Sequence, residues 1–145
     1  MRLVIQRVSE ASVSVDGQTI GRIGAGLCIL VGIGKDDNPN NAAVFADKVK
    51  NLRIFEDDQD KMNRSLVDSR GAVLVISQFT LYADCRKGNR PSFTDAAPAA
   101  LAEEIYLAFA KQLSDAGVTV AIGQFQAHMK VALVNDGPVT IILEG

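Results

Sequence analysis

The sequence predicts an α+β fold: a mixed, strongly curved sheet or barrel-like β core with two packed helices. Three observations carry this expectation. Short apolar runs separated by glycine turns fill the first third of the chain, two amphipathic stretches of helical period follow, and further apolar runs close it. The resulting order, β-β-β-α-β-β-α-β-β-β, suits helices laid on one mixed sheet. At 145 residues the chain, 1–145, reads as a single domain. Its 48% hydrophobic content can fill a core, and 22% charged residues with a mean hydropathy of +0.13 exclude a disordered chain.

Each element follows from local pattern. Residues 3–8 and 12–15 alternate apolar and polar side chains, so two strands are expected. Asp16-Gly17 is a two-residue hairpin signal ahead of a strand at 18–23. Gly24-Ala25-Gly26 marks a turn, and the unbroken apolar run 27–33 reads as a central strand. After a loop at 34–38, Pro39 opens a helix that runs to residue 52, with Phe45, Val49 and Leu52 on one face. A short strand at 53–55, a polar loop at 56–63 and an apolar strand at 72–77 come next. Residues 82–93 form a long polar connection. The second helix, 98–116, carries Leu101, Ile105, Ala108, Phe109 and Leu113 on its apolar face and stops at Gly117. Strands at 118–122, 129–134 and 139–143 end the chain, and Asn135-Asp136-Gly137-Pro138 reads as turn chemistry between the last two.

Several functions are excluded or disfavoured. Fifteen basic against seventeen acidic residues give a net charge of −2 and a pI near 5.3, unlike a strongly basic nucleic-acid module. A local basic patch is still compatible with that sum. The longest apolar run falls short of the roughly 18 residues a membrane helix needs, and the alternating start is no secretory signal. Cys28 lies in an apolar run and packs as a small hydrophobe, while Cys85 is a free thiol in a polar loop; a reducing cytoplasm is the expected location. Gly32-Ile33-Gly34 meets Asp37 where a dinucleotide fingerprint needs its third glycine, so turn glycines are expected. Asp57, Asp58 and Asp60 lack the glycine and glutamate of a calcium loop, with Asn63 and Ser69 in their places. His128 is the one histidine, too few for a His/Cys metal site, so no metal and no cofactor are expected. An enzyme built on this chain would rely on backbone groups, a Ser/Thr hydroxyl or the substrate's own functional groups.

Two segments concentrate polar chemistry. Ser77-Gln78-Phe79-Thr80-Leu81 sets hydroxyls, an amide and an aromatic ring where the chain leaves an apolar strand. Backbone N–H groups freed from a ladder there can converge on an anion or a developing oxyanion. The second is Asn135-Asp136-Gly137-Pro138-Val139-Thr140, whose Gly-Pro bond belongs to the one class that adopts cis with ease. Ala83-Asp84, Lys87-Gly88 and Arg90-Pro91-Ser92-Phe93 lie between them, and Gln6-Arg7-Val8, Gly17, Gly21, Ile23 and Gly24 near the start. Taken together, in order and over the whole length, these residues resemble the bacterial D-aminoacyl-tRNA deacylase family. Gln126 departs from it, since the family usually carries Gly or Ala after the residue matching Phe125.

The resemblance implies hydrolysis of the ester between a D-amino acid and the 3′-terminal adenosine of tRNA. It implies a homodimer with active sites at the subunit interface, where Gly137-Pro138, as a Gly-cis-Pro segment, enters the pocket of the other subunit. Its carbonyl oxygens would hold the substrate's α-amino group and leave no room for an L side chain. Glycyl-tRNA, including glycine mischarged on alanine tRNA, would be hydrolysed too. Phe79 and Thr80 would supply backbone N–H groups, Ser77 and Gln78 would shape the pocket, and Arg7 would hold the Gly-Pro segment. Phe125 and Met129 would wall the adenosine end. A water assisted by the ribose 2′-hydroxyl would attack, with Thr80 as nucleophile the rival route. Arg86, Lys87 and Arg90 are candidates for tRNA phosphate contact, and Lys48, Lys50 and Arg53 form a second basic cluster. Two other classes stand beside this one. A non-catalytic nucleic-acid-binding module is weakened by the acidic pI and by the lack of an aromatic-plus-basic strip. A small-molecule pocket at a dimer interface is the other.

Overall fold

A computed structural model describes residues 1–145. Strand β1 (Arg2–Val15) organises it. One edge of β1 pairs antiparallel with β3 (Gly26–Gly32) near its start and with β2 (Gln18–Ile23) near its end. The other edge pairs antiparallel with β8 (Lys130–Glu144) along nearly its whole length. Beyond β3, strands β6 (Ala72–Ser77) and β7 (Val120–Ile122) join in parallel, giving the order β2-β1-β3-β6-β7 with β8 on β1. The sheet curls until β2 approaches β7. A Cβ on Gly21 would sit 3.2 Å from the Ile122 carbonyl oxygen, so glycine is what allows that approach. The expected mixed, barrel-like core is therefore present.

The helices follow their signals. Helix α1 (Pro39–Asn51) starts at Asn38, which exchanges capping hydrogen bonds with Asn41. Helix α3 (Ala99–Asp115) packs against α1. Phe45 and Val49 from one, and Ile105, Tyr106, Phe109 and Leu113 from the other, bury against Leu3, Ile5, Leu27, Ile29, Val73 and Val75. Each large side chain so buried contributes roughly 1.5–3 kcal/mol. The opposite face of the sheet closes on itself through Val8, Val13, Ile23, Cys28, Leu74 and Ile76. No helix is long and apolar enough to cross a membrane.

Three expectations change. Residues 3–8 and 12–15 belong to one continuous strand, because a single long β1 serves two partners on one edge. The polar loop at 56–63 contains a small hairpin, β4 (Phe55–Glu56) with β5 (Met62–Arg64), and α2 (Leu66–Ser69) adds a single helical turn. Asp57 builds that hairpin by accepting from the Gln59 and Lys61 amides and the Asn63 side chain. Most consequential, Asn135-Asp136-Gly137-Pro138 makes no hairpin. The chain passes through it as one strand, pairing Thr140 with Gln6 on one side and Asn135 with Val8 on the other. Arg7 alone faces residues 136–139, so that stretch bulges out of the ladder, with a cis Gly137–Pro138 peptide within it.

Gly26 begins β3, and a Cβ there would lie 1.9 Å from the Ala72 carbonyl oxygen, whereas one on Gly24 would meet nothing. We expect Gly26→Ala to cost more than about 3 kcal/mol and Gly24→Ala to stay within about 0.5 kcal/mol, measured by denaturant unfolding. Equal effects would mean that β3 and β6 do not approach this closely.

Candidate active site

A cleft of about 800 Å³ lies between the ends of β3 and β6, the start of α3 and the segment entering β8. Of the residues singled out in the sequence, it gathers Ser77, Gln78, Phe79, Phe125 and Met129. Gln126 and His128 also line it. Its remaining walls are mostly aliphatic, including Val31, Ile33, Ile76 and Val131.

The polar rim is built by the end of β6. Ser77 closes the strand, Gln78 donates its N–H to the Val31 carbonyl (2.8 Å), and a 3₁₀ turn (Phe79–Tyr82) follows. The first hydrogen bond of that turn runs from Leu81 N–H to the Gln78 carbonyl (3.2 Å). The N–H groups of Phe79 and Thr80 therefore precede it, and no side chain caps them. Arg2 anchors the far end by donating to the Leu81 carbonyl (3.0 Å) and lies over the Tyr82 ring. Close approach to β3 depends on Gly32 and Gly34, whose added Cβ atoms would sit 2.9 Å from Leu81 and 2.7 Å from the Tyr82 ring. Gly34 does begin a turn, its carbonyl accepting from the Asp37 N–H (3.1 Å), and both glycines also clear space for the 3₁₀ turn.

Thr80 is exposed, and its hydroxyl accepts a hydrogen bond from the Gln78 side-chain amide. An amide cannot take the hydroxyl proton, so no base activates this oxygen. Cys28 is no nucleophile either, since burial pushes its thiol up to about 11. Exposed Cys85 lies outside the cleft.

Sequence reading missed Tyr106. Its ring packs near Phe125, and its hydroxyl donates to the Val75 carbonyl (2.9 Å) with the Gly123 carbonyl at 3.4 Å. It thereby joins the floor under β6 to the Phe125 wall. In the sequence it is one more residue on an amphipathic helix, and nothing local marks it. Gly123 leaves room for Met129, whose sulfur would be 2.6 Å from an added Cβ. Gln126 has φ +59° in the turn closed by Ala127 N–H to the Gln124 carbonyl. Glycine would take that conformation freely, whereas a side chain there costs roughly 1 kcal/mol.

Arg7, Gly137 and Pro138 do not line the cleft. Arg7 is 5% exposed, and its guanidinium donates to the Asp136 carbonyl (3.0 Å), the Ile54 carbonyl (2.8 Å) and the Glu56 carboxylate (3.3 Å). It thus grips the bulge beside Gly137, while residues 132–138 are exposed. The basic loop is pinned at its neck by reciprocal backbone bonds between Asp84 and Ser92 (2.8 and 2.9 Å). Arg86 forks onto the Asp84 carboxylate (2.9 and 2.7 Å), which leaves Lys87 and Arg90 as the loop's unpaired cations.

The fold and the cleft define a small α+β protein whose polar equipment is mainly main chain. Among solved structures, one described as a probable eukaryotic D-amino acid tRNA deacylase superposes with a TM-score of 0.86 at 16% identity, covering 98% of this chain and 97% of that one, and shares the fold. Another, described as c-Myc DNA Unwinding Element Binding Protein, has a TM-score of 0.93 and 42% identity over 100% of this chain and 99% of that one. The family model described as D-Tyr-tRNA(Tyr) deacylase matches residues 4–144. Curated relatives named D-aminoacyl-tRNA deacylase include one from Roseiflexus castenholzii, 60% identical over 99% of this chain and 92% of its own length. One from Clostridioides difficile is 56% identical over 99% and 97%. The chain belongs to this deacylase family and is a hydrolase.

The Arg86 guanidinium bonds, and after them the bond from the Arg86 backbone N–H, hold the Asp84 carboxyl down at about 2. The stability this pair lends the loop neck is present above the ordinary carboxylate range and is lost as pH falls through about 2. We expect Arg86→Ala, which keeps the backbone N–H at residue 86, to raise the Asp84 titration, followed by carboxyl NMR, part of the way toward the usual value near ~3.9. An unchanged midpoint would break the link between the two residues.

Proposed function

We propose that the chain hydrolyses the ester joining a D-amino acid to the terminal adenosine of tRNA, releasing both, as a cytoplasmic homodimer. The observation that carries this reading is the uncapped pair of N–H groups at Phe79, which lines an apolar cleft, and at Thr80, the next residue, which does not line it. Such donors suit the oxyanion that forms when water adds to an ester carbonyl. The bond from that carbon to the ribose 3′-oxygen then breaks, and the 3′-oxygen takes a proton. The ribose 2′-hydroxyl assists the water, so no protein base is required. Phe125 and Met129 offer an apolar wall for the adenine, and Ser77 and Gln78 shape the reacting end.

Chirality is assigned to Gly137-Pro138. Within one protomer this segment does not line the cleft, and Arg7 holds it outward from the sheet. A partner subunit would bring the two together. Strand β8 favours such a partner: it pairs only with β1, and its Val134 and Ile142 are 50% and 64% exposed. A long apolar strand edge left open in this way is a pairing surface. Carbonyl oxygens of the segment would grasp the α-amino group and exclude an L side chain, while glycyl esters, including glycine on alanine tRNA, would pass. A second reading, binding of nucleic acid in its own right, is favoured by the likeness to the 42% identical structure described as c-Myc DNA Unwinding Element Binding Protein.

Incubation with D-tyrosyl-tRNA and L-tyrosyl-tRNA tests the proposal. Rapid loss of the D-ester alone is expected; loss of neither would leave the nucleic-acid-binding and small-molecule readings. Thr80→Ala should lose no more than about tenfold, the scale of one hydrogen bond. Complete loss with tRNA binding intact would restore the covalent route. For the gate, Pro138→Ala should relax rejection of the L-ester or abolish activity. Wild-type behaviour toward both enantiomers would overturn the role of this segment.

A further inference from the structure

Phe79 and Phe93 are fourteen residues apart in sequence and belong to different segments, yet their rings meet edge to face with centroids 5.1 Å apart. Both are exposed, Phe79 by 56% and Phe93 by 37%. An edge-to-face pair uses one ring face and leaves the others open to solvent. Phe79 also lines the cleft, so the pair stands at its mouth. Phe93 follows directly on Ser92, one half of the backbone clasp that closes the basic loop. The same clasp therefore fixes Phe93 against Phe79 and projects residues 85–91 beside it, including Lys87 and Arg90, neither of which has an ion-pair or hydrogen-bond partner for its side chain.

The geometry points to a stacking shelf, made by Phe79 and Phe93, for the single-stranded bases that precede the terminal adenosine of the RNA. Lys87 and Arg90 meet the phosphates between those bases. This rests on the reading that the cleft takes an aminoacyl-tRNA ester, and it deepens that reading by assigning the part of the RNA held outside the cleft. Single-stranded nucleic acid is gripped by aromatic faces that stack on bases and cations that follow the backbone. Residues 87–93 carry Lys87, Arg90 and Phe93 in one stretch, and the fold adds the second ring, Phe79, from fourteen residues away. Phe93 is a positioning and binding residue here, with no contact to the reacting ester.

The test compares two esters of D-tyrosine, full D-tyrosyl-tRNA and 3′-D-tyrosyl-adenosine, which lacks the upstream bases. Phe93→Ala is expected to raise KM for the tRNA ester about tenfold relative to the adenosine ester, with kcat little changed. Phe93→Leu, which keeps apolar bulk without a ring, should behave like Phe93→Ala, and Phe93→Tyr should behave like wild type. Parallel changes on both esters, or no change on either, would overturn the shelf and leave Phe93 a clip for the loop. Should wild type hydrolyse neither ester, the function assigned above fails instead. Binding then decides the shelf: an RNA hairpin ending in CCA, with 2-aminopurine replacing the base before the terminal adenosine, should be quenched by wild type and by Phe93→Tyr but not by Phe93→Leu. Equal quenching by all three would sink it.

Discussion

The buried guanidinium of Arg7 is the constraint around which this chain is arranged. A buried cation needs its donors satisfied, and leaving them unmade costs more than the bonds return when formed. Arg7 meets that need with two main-chain carbonyls, from Asp136 and Ile54, and one carboxylate, Glu56. The partners come from two distant segments, so one side chain ties β1 both to the β4 segment, through Ile54 and Glu56, and to the bulge of β8. The ladder between β1 and β8 could not stay regular here, since Arg7 alone faces residues 136–139. Arg7 thus settles where the chain leaves the sheet as well as what holds it there.

The cleft obeys a complementary rule: its shape is made by absent side chains. Gly32 and Gly34 let the 3₁₀ turn settle on the end of β3, and Gly123 gives Met129 its place. Backbone brought this close carries its own donors, so polar chemistry reaches an apolar hollow without an ionisable group at the rim of the turn. Tyr106 ties the floor to the opposite wall through the Val75 carbonyl. A site of this kind depends on rigid main chain, which suits an ester whose oxyanion needs fixed donors.

Much of the fold was legible in the sequence, because period and punctuation are local. Asp16-Gly17 forms its hairpin with positive φ at both residues, Pro39 opens α1, and Gly117 follows α3 with φ +85°. Ser65 and Asp68 form a capping box, a spacing that could have revealed α2. What escaped was long-range. Asn135-Asp136-Gly137-Pro138 carries strong turn chemistry, yet β1 offers an unbroken ladder on both sides of it, and tertiary pairing overrides the local preference. The cleft residues at 77–79 stood out by type, while Tyr106 and the contact between Phe79 and Phe93 required the fold to bring them together.

Net charge misleads for a similar reason. The chain is acidic overall, but seven of its fifteen Lys and Arg side chains are spent on local ion pairs, among them Arg7 on Glu56, Arg64 on Asp58, Arg86 on Asp84, Lys35 on Asp95 and Lys111 on Asp115. What a polyanion meets is the residue left after such pairing, and Lys87 and Arg90 are left together on one loop. The field of a surface depends on where unpaired charge sits, with screening over roughly 8–10 Å removing the rest of the molecule from the sum. An acidic chain can therefore present a basic edge beside its cleft, and the pairing of Arg86 with Asp84 sharpens that edge by fixing the loop on which it stands.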